Sequence, residues 1–210
     1  MGTFLVVIWL IGLGLVDSYK NIKTADILQW HHSPKVNAVI QSLDRNVNYS
    51  RVGFGYDIHR VVNAGEGGKT LILGGVEVPG DSVRVLAHSD GDVVLHSISD
   101  AVLGALGKGD IGDYFPDTNP QFEDYNSVKI LRRVLEIAEE MGYSLVNVDA
   151  CIILEYPKLG PVKSQIKENL QSLLGHGTVV NVKAKTNEKL DSIGKGSAIA
   201  CHAVVLLQNI

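Results

Sequence analysis

The chain is poor in cysteine, with only two in 210 residues. Cys151 and Cys201 lie inside the apolar runs DACIILEY and AIACHAVVLL. Their spacing makes neither a zinc knuckle nor a disulfide framework, so they read as small hydrophobes on buried strands. Positive charge is not in excess either: 19 Lys and Arg stand against 23 Asp and Glu, a net charge of -4. A protein that works on nucleic acid needs a basic face to neutralise phosphates, and this composition argues against one. A small phosphorylated ligand needs only a local cluster and stays open. No apolar run reaches the ~20 residues of a comfortable transmembrane helix, which argues against a stable membrane span in the mature form. Internal repeats and low-complexity stretches are also missing.

The longest apolar run, FLVVIWLIGLGLV at 4–16, has thirteen residues. That length suits the apolar core of a signal peptide, although only the α-amino group supplies positive charge before it. Residues 17–50 follow with Lys20, Lys23, Lys35 and Arg45 and no convincing period. A secretory-type start followed by a basic tail has the form of a two-step targeting signal, so residues 1–47 are expected to be a leader. An extension of no consequence is the competing reading. The pattern becomes dense at Arg51, and the folded domain is expected over 48–210.

Within that domain, β-rich runs occur at 51–56, 70–78, 145–155, 178–184 and 197–207. Between them, Val128, Leu131, Val134, Leu135, Ala138 and Met141 recur at three and four, predicting a helix over 126–141 that Gly142 stops. Pro161 opens and Gly175 closes a second helical run with Val162, Ile166, Leu170 and Leu173 on one side. The expectation is an α/β (α+β) domain with a mixed four- to five-stranded sheet and helices packed on one face. The runs at 145–155 and 197–207 should be central.

The chemistry concentrates in AHSDGDVVLHSISDAVLGAL, residues 87–106. As a helix starting near Asp90, it sets Asp92, His96 and Asp100 on one face, while apolar residues fill most of the rest. Burying these ionisable groups without partners costs several kcal/mol, so they meet a counter-ion or line a cleft. A zinc-like divalent ion resolves the conflict, because imidazole and carboxylate are its ligands. Asp92 and Asp100 then become candidate supports orienting His96. GYDIHR supplies further donors: Asp57 and His59 are two apart at the end of a strand and face the same way. Asp57, His59 and His96 make a three-ligand set with one open position, the pattern of a catalytic zinc.

Three loops add context. GKGDIGDYFPDTNP (107–120) offers Asp110, Asp113 and Asp117 to a ligand hydroxyl or a hydrated cation, or is a solvated surface loop. KAKTNEKLDSIGKG (183–196) either clasps phosphates or is simply solvated. EYPKLGP (155–161) exposes backbone amides at a helix start, a place for an anion or a base edge.

In this order and spacing, GYDIHR, LILGGVEVP, the block from Ala87 to Pro120, YPKLGP and VKAKTNEKLDSIGKG closely resemble the 2-C-methyl-D-erythritol 2,4-cyclodiphosphate synthases of non-mevalonate isoprenoid biosynthesis. The resemblance covers residues 51–210. It implies a homotrimer with active sites between subunits, and a phosphorus–oxygen lyase. The reaction implied turns 4-diphosphocytidyl-2-C-methyl-D-erythritol 2-phosphate into the cyclic diphosphate plus CMP. The substrate's own phosphate is the nucleophile, so the work left is positioning and charge stabilisation.

The resemblance also implies residue roles. Zn2+ falls on Asp57, His59 and His96, with Ile58 beside them in the substrate surface. His88 and Ser89 contact the reacting phosphate, and His88 with Thr186 stabilises the transition state. Asp110 and Gly112 hold the erythritol hydroxyls next to Ile111, and Phe115, Pro116, Asp117, Thr118 and Asn119 line that pocket. Leu154, Glu155, Tyr156, Pro157, Lys158, Leu159 and Gly160 read the cytidine diphosphate. Glu188, from the adjacent subunit, ligates Mg2+ or Mn2+ bridging the diphosphate, with Lys185, Asn187, Ser192 and Lys195 nearby.

Many bacterial members carry Thr-Thr-x-Glu at positions 185–188 and Gly-Phe-x-Gly-Arg at 191–195, and this chain departs from both. Its version resembles plastid-type members. A plastid-type core behind a secretory-like start is similar to the apicomplexan arrangement, which implies an apicoplast-like destination. Two other readings use the same residues: a zinc-dependent phosphoesterase with water as nucleophile, and a catalytically silent binding module.

Overall fold

The computed structural model describes residues 49–80 and 82–210. The leader expected over 1–47 lies outside the described residues.

Alternation of exposed and covered residues builds the first strand, β1 (Ser50–Asn63). Its odd positions face inward, where helices cover the sheet, and include Asp57 and His59. The strand is longer than the run expected over 51–56 because it changes partner. β8 (Ala198–Asn209) pairs with it antiparallel up to Arg60, and β5 (Val83–Leu86) takes over from Arg60 to Asn63. Asp57 and His59 are therefore held mid-strand by hydrogen bonds rather than at a frayed end.

The run expected over 70–78 is broken into β2 (Lys69–Thr70), β3 (Ile72–Leu73) and β4 (Val76–Glu77). Gly74 and Gly75, at φ +58° and +76°, make the two-residue turn between β3 and β4. Positive φ at both central positions is what such a hairpin turn requires.

The main sheet has six strands in the order β2-β5-β1-β8-β6-β7, not four or five. β6 (Tyr143–Ile153) and β8 are interior, as their long apolar runs predict. β7 (Val179–Lys185) runs parallel to β6 at the edge, and the other pairings are antiparallel.

Helices cover the inner face. α1 (Val93–Leu106) starts three residues later than expected, with Asp92 as its N-cap. Two glycines of β1 admit it at backbone contact. A Cβ on Gly53 would sit 1.7 Å from the Ala101 carbonyl oxygen, and one on Gly55 would sit 1.9 Å from that of Ser97. The Ser97 hydroxyl shares its proton between the Val93 carbonyl at 2.7 Å and the Cys201 carbonyl at 2.9 Å, tying α1 to β8 as well.

After the short α2 (Ile111–Tyr114), α3 (Ser127–Glu140) lays Ile130, Leu131, Val134, Ile137 and Ala138 against this layer. α4 (Lys163–Leu174) crosses between the parallel strands β6 and β7, and α5 (Asp191–Gly194) is a single turn before β8. Leu95, Leu103, Leu131, Ile152, Ile166 and Ile199 are fully buried at the centre. Each contributes about 1.5–3 kcal/mol relative to exposure. Cys151 and Cys201 are free thiols.

Among the described residues, no element covers the outer face of the sheet. Val52 is 69% exposed and Phe54 62%, with Tyr56, Ile58 and Val204 beside them. No helix among the described residues is long and apolar enough to cross a membrane.

Candidate active site

Asp57 and His59 project from the inner face of β1 towards the first turn of α1, which carries His96. Three donor atoms meet there. His96 Nδ1 is 2.9 Å from Asp57 Oδ2, His59 Nε2 is 3.1 Å from the same oxygen, and the two imidazole nitrogens are 3.3 Å apart. A tetrahedral ion with ligands at about 2.0–2.1 Å separates them by roughly 3.3 Å. The triangle fits a divalent metal in both donor chemistry and size.

Electrostatics supports that reading. Burial alone would raise the Asp57 pKa, but hydrogen bonds from His59 and His96 and their charges hold it far below the usual carboxylate range. Burial works against charge on His96, yet Asp57, Asp92 and Asp90 together raise its pKa. The site thus favours a carboxylate surrounded by positive charge.

The helical spacing predicts Asp92 and Asp100 as supports of His96, and the structure corrects this. Asp92 turns back as the N-cap. Its carboxylate accepts from Val94 N at 3.0 Å and Leu95 N at 3.1 Å, and from Gly74 N at 2.9 Å and Gly75 N at 2.6 Å. Burial pushes it up to about 6 despite these donors. Asp100 accepts from Ile111 N at 2.8 Å and so holds α2. The outer nitrogen of His96 instead meets Ser127 Oγ at 2.8 Å and Ser89 Oγ at 3.2 Å.

The triangle forms part of the wall of an open cleft of about 470 Å³, a usual size for a small-molecule site. His88, Ser89, Ile111, Gly112, Phe115, Pro116 and Asp117 line it too. Lys69 shapes the His88–Ser89 segment. Its Nζ donates to the His88 carbonyl at 3.0 Å and the Ser89 carbonyl at 2.5 Å while pairing with Asp124 at 2.5 Å. Phe115, Phe122 and Tyr125 pack ring against ring on one wall.

Other expected residues stand outside the lining. Ile58 points to the outer face. Asp110 caps α2 by accepting from Gly112 N at 2.9 Å. Asn119, next to Thr118, caps the short turn at Pro120–Phe122. Lys69, Phe122, Tyr125 and Ser127 were not anticipated. The sequence marks Asn126-Ser127 as a helix start, but nothing local says that the hydroxyl meets a histidine.

The segments 154–160 and 185–195 form a second assembly. Ile58, Ala200, Ile153 and Lys185 occupy one row across β1, β8, β6 and β7. Three gaps of about 4.8 Å put this assembly roughly 14 Å from β1, at the same end of the sheet. It does not join the cleft within one chain.

Leu154 and Leu159 are core residues, while Tyr156, Lys158 and Gly160 are exposed and Pro157 is half-buried. Leu154 N donates to the Lys185 carbonyl at 2.9 Å. Glu155 accepts from Asn187 N at 3.2 Å and Lys189 N at 3.4 Å. Thr186 Oγ1 donates to Glu188 at 2.9 Å. Glu188, Lys189 and Asp191 adopt left-handed φ of +51°, +63° and +55°, an unusual cluster for residues with side chains. Ser192 and Lys195 are exposed on α5 and at its end.

Fold and donors together define a mixed α/β protein able to hold a divalent ion in the wall of a small-molecule cleft. The chain belongs to the YgbB family, whose model matches residues 50–208. The 2-C-methyl-D-erythritol 2,4-cyclodiphosphate synthase of Syntrophotalea carbinolica is 48% identical over 75% of this chain and 93% of its own length. The chloroplastic synthase of Oryza sativa subsp. japonica is 49% identical over 75% of this chain and 69% of its own. Among solved structures, the IspF CDP complex of Plasmodium falciparum aligns with a TM-score of 0.66 at 40% identity. That alignment covers 78% of this chain and 99% of the other.

Proposed function

We propose that the chain cyclises 4-diphosphocytidyl-2-C-methyl-D-erythritol 2-phosphate to 2-C-methyl-D-erythritol 2,4-cyclodiphosphate and releases CMP, a step of non-mevalonate isoprenoid synthesis. The observation that carries this reading is the Asp57–His59–His96 triangle opening beside His88 and Ser89, in a chain 48% identical to a curated synthase. An oxygen of the 2-phosphate forms a bond to the β-phosphorus. The bond from that phosphorus to the bridging oxygen breaks, and CMP leaves with the oxygen. No water and no enzyme nucleophile enters the balance.

Asp57, His59 and His96 would hold Zn2+, which when bound supplies Lewis-acid polarisation of a phosphoryl oxygen. His88 and Ser89 hold the reacting phosphate from the side of the cleft that Lys69 fastens. Asp110 and Gly112, next to Ile111, place the erythritol hydroxyls, and Phe115, Pro116, Asp117, Thr118 and Asn119 line that pocket, the first three in the cleft wall itself. Leu154–Gly160 read the cytidine diphosphate, with Tyr156, Lys158 and Gly160 exposed, Thr186 assists His88 in stabilising charge, and Glu188 would hold Mg2+ or Mn2+. Lys185, Asn187, Ser192 and Lys195 surround that loop.

Because the second assembly lies away from the cleft of its own chain, the active site is proposed to form between subunits of a homotrimer. The bare apolar face of the sheet supports an assembly that covers it. Residues 1–47 are proposed to be a plastid-directed leader, apicoplast-like in its secretory start, before a synthase domain at 48–210. The chloroplastic rice relative supports the plastid part.

The test is incubation of the full chain with the diphosphocytidyl substrate, Zn2+ and Mg2+. Cyclic diphosphate and CMP in equal amounts are expected. A linear product carrying oxygen from water would point to a phosphoesterase and overturn the reading.

A further inference from the structure

We propose that Asp90 and Ser127 lock the tautomer of His96, and so act as a positioning pair for the metal centre. The inference rests on the reading of the triangle as a divalent-metal site and adds the groups that make His96 a competent ligand.

Asp90 Oδ2 accepts from Ser127 N at 2.8 Å, Asp90 Oδ1 receives the Ser127 hydroxyl in a short contact, and Asp92 N donates to Oδ1 at 3.3 Å. A carboxylate only accepts, and a serine hydroxyl has one proton to give. That proton is committed to Asp90. Ser127 Oγ therefore turns lone pairs towards His96 Nε2, 2.8 Å away, and the shared hydrogen belongs to the imidazole.

In a neutral imidazole with hydrogen on Nε2, the lone pair sits on Nδ1. Nδ1 is the nitrogen that faces Asp57 and His59. Ser89 Oγ, at 3.2 Å from Nε2 and already accepting from Gly91 N, is placed to share the same hydrogen rather than to redirect it.

The pair is rigidly mounted. Ser127 is fully buried as the first residue of α3. Asp90 N donates to the carbonyl of Tyr125, two residues before Ser127, at 3.2 Å. The start of α3 thereby orients a ligand carried by α1. Partners of this kind fix ring orientation and tautomer at metal sites, and their loss typically lowers metal affinity about 10–100-fold.

The experiment measures Zn2+ affinity of the full chain by competition with a chromophoric chelator, for the parent, Ser127→Ala and Asp90→Asn. Ser127→Ala should bind about 10–100-fold more weakly. Asp90→Asn should lose at least as much, because an amide can donate to Ser127 Oγ, turn the hydroxyl proton towards Nε2 and move the imidazole hydrogen to Nδ1. Melting in chelator checks that each variant folds. Nitrogen-15 NMR of the zinc-loaded parent adds a readout that needs no variant: His96 should carry a slowly exchanging hydrogen on Nε2.

A parent that binds no zinc removes the metal reading itself. A parent that binds, with both variants within twofold of it, removes only the inference drawn from Asp90 and Ser127. Full affinity in Asp90→Asn alone does the same, since the direction of the hydroxyl would then be irrelevant, as does hydrogen found on Nδ1 in the parent.

Discussion

His96 is 5% exposed and meets protein partners on both ring nitrogens, whereas Glu188 stands exposed at a left-handed φ of +51° with Thr186 holding its carboxylate. The first region is finished within one chain: strand register, helix contact and buried hydroxyls set its geometry before any ligand arrives. The second holds itself together through Glu155, Asn187 and Asp191 and offers exposed polar groups that face none of the described elements. The difference teaches that the two halves of the proposed site should fail in different ways.

The largest break is expected at the triangle. His96→Ala removes a donor outright and should lower turnover by more than roughly 100-fold, beyond the loss of an orienting partner. Zinc content after dialysis should fall with it. Unchanged turnover and zinc would dissolve the contrast between the regions.

Next comes Gly55→Val. Its Cβ would meet the Ser97 carbonyl oxygen at 1.9 Å, and overpacking of a rigid contact costs about 1–3 kcal/mol or more. Denaturant titration should show the loss, and zinc affinity should drop because β1 and α1 are forced apart.

Glu188→Ala sharpens the comparison from the other side. Turnover should fall by about 100-fold, the scale of one charge-stabilising group, while zinc affinity and melting temperature stay at the parent values. Zinc loss in this variant would mean that the regions are coupled within the chain.

The smallest effect concerns pH. Burial pushes the Cys201 thiol up to about 12 from an ordinary 9.0. Between those values the unfolded chain releases a proton that the folded chain retains, so stability falls as pH rises above about 9. Melting of Cys201→Ala between pH 8 and pH 10.5 should show a flatter decline than the parent.

The meeting of Asp57, His59 and His96 was legible because it rests on short-range rules. Positions 57 and 59 share a strand face whatever the partner strand, and His96 stands on a helix whose apolar residues betray its burial. The helix expected over 126–141 and the central strands were legible for the same reason, since their periodicity is local. What escaped depended on tertiary partners. β5 has four residues and is defined by β1 and β2 beside it. Asp92 shares a helical face with His96 on paper, yet four backbone amides, two of them from the Gly74–Gly75 turn, claim its carboxylate. Ser127 lies thirty-one residues from His96 in the chain, and only the docking of α3 on α1 brings them together.

Gly53 and Gly55 carry a last consequence. Where α1 crosses β1, main chain rests on main chain, so the separation between the strand bearing Asp57 and His59 and the helix bearing His96 is set by peptide dimensions. It works as a mechanical stop. Side chains elsewhere in the core can be exchanged for others of similar bulk, and the gauge between the three donors is expected to hold.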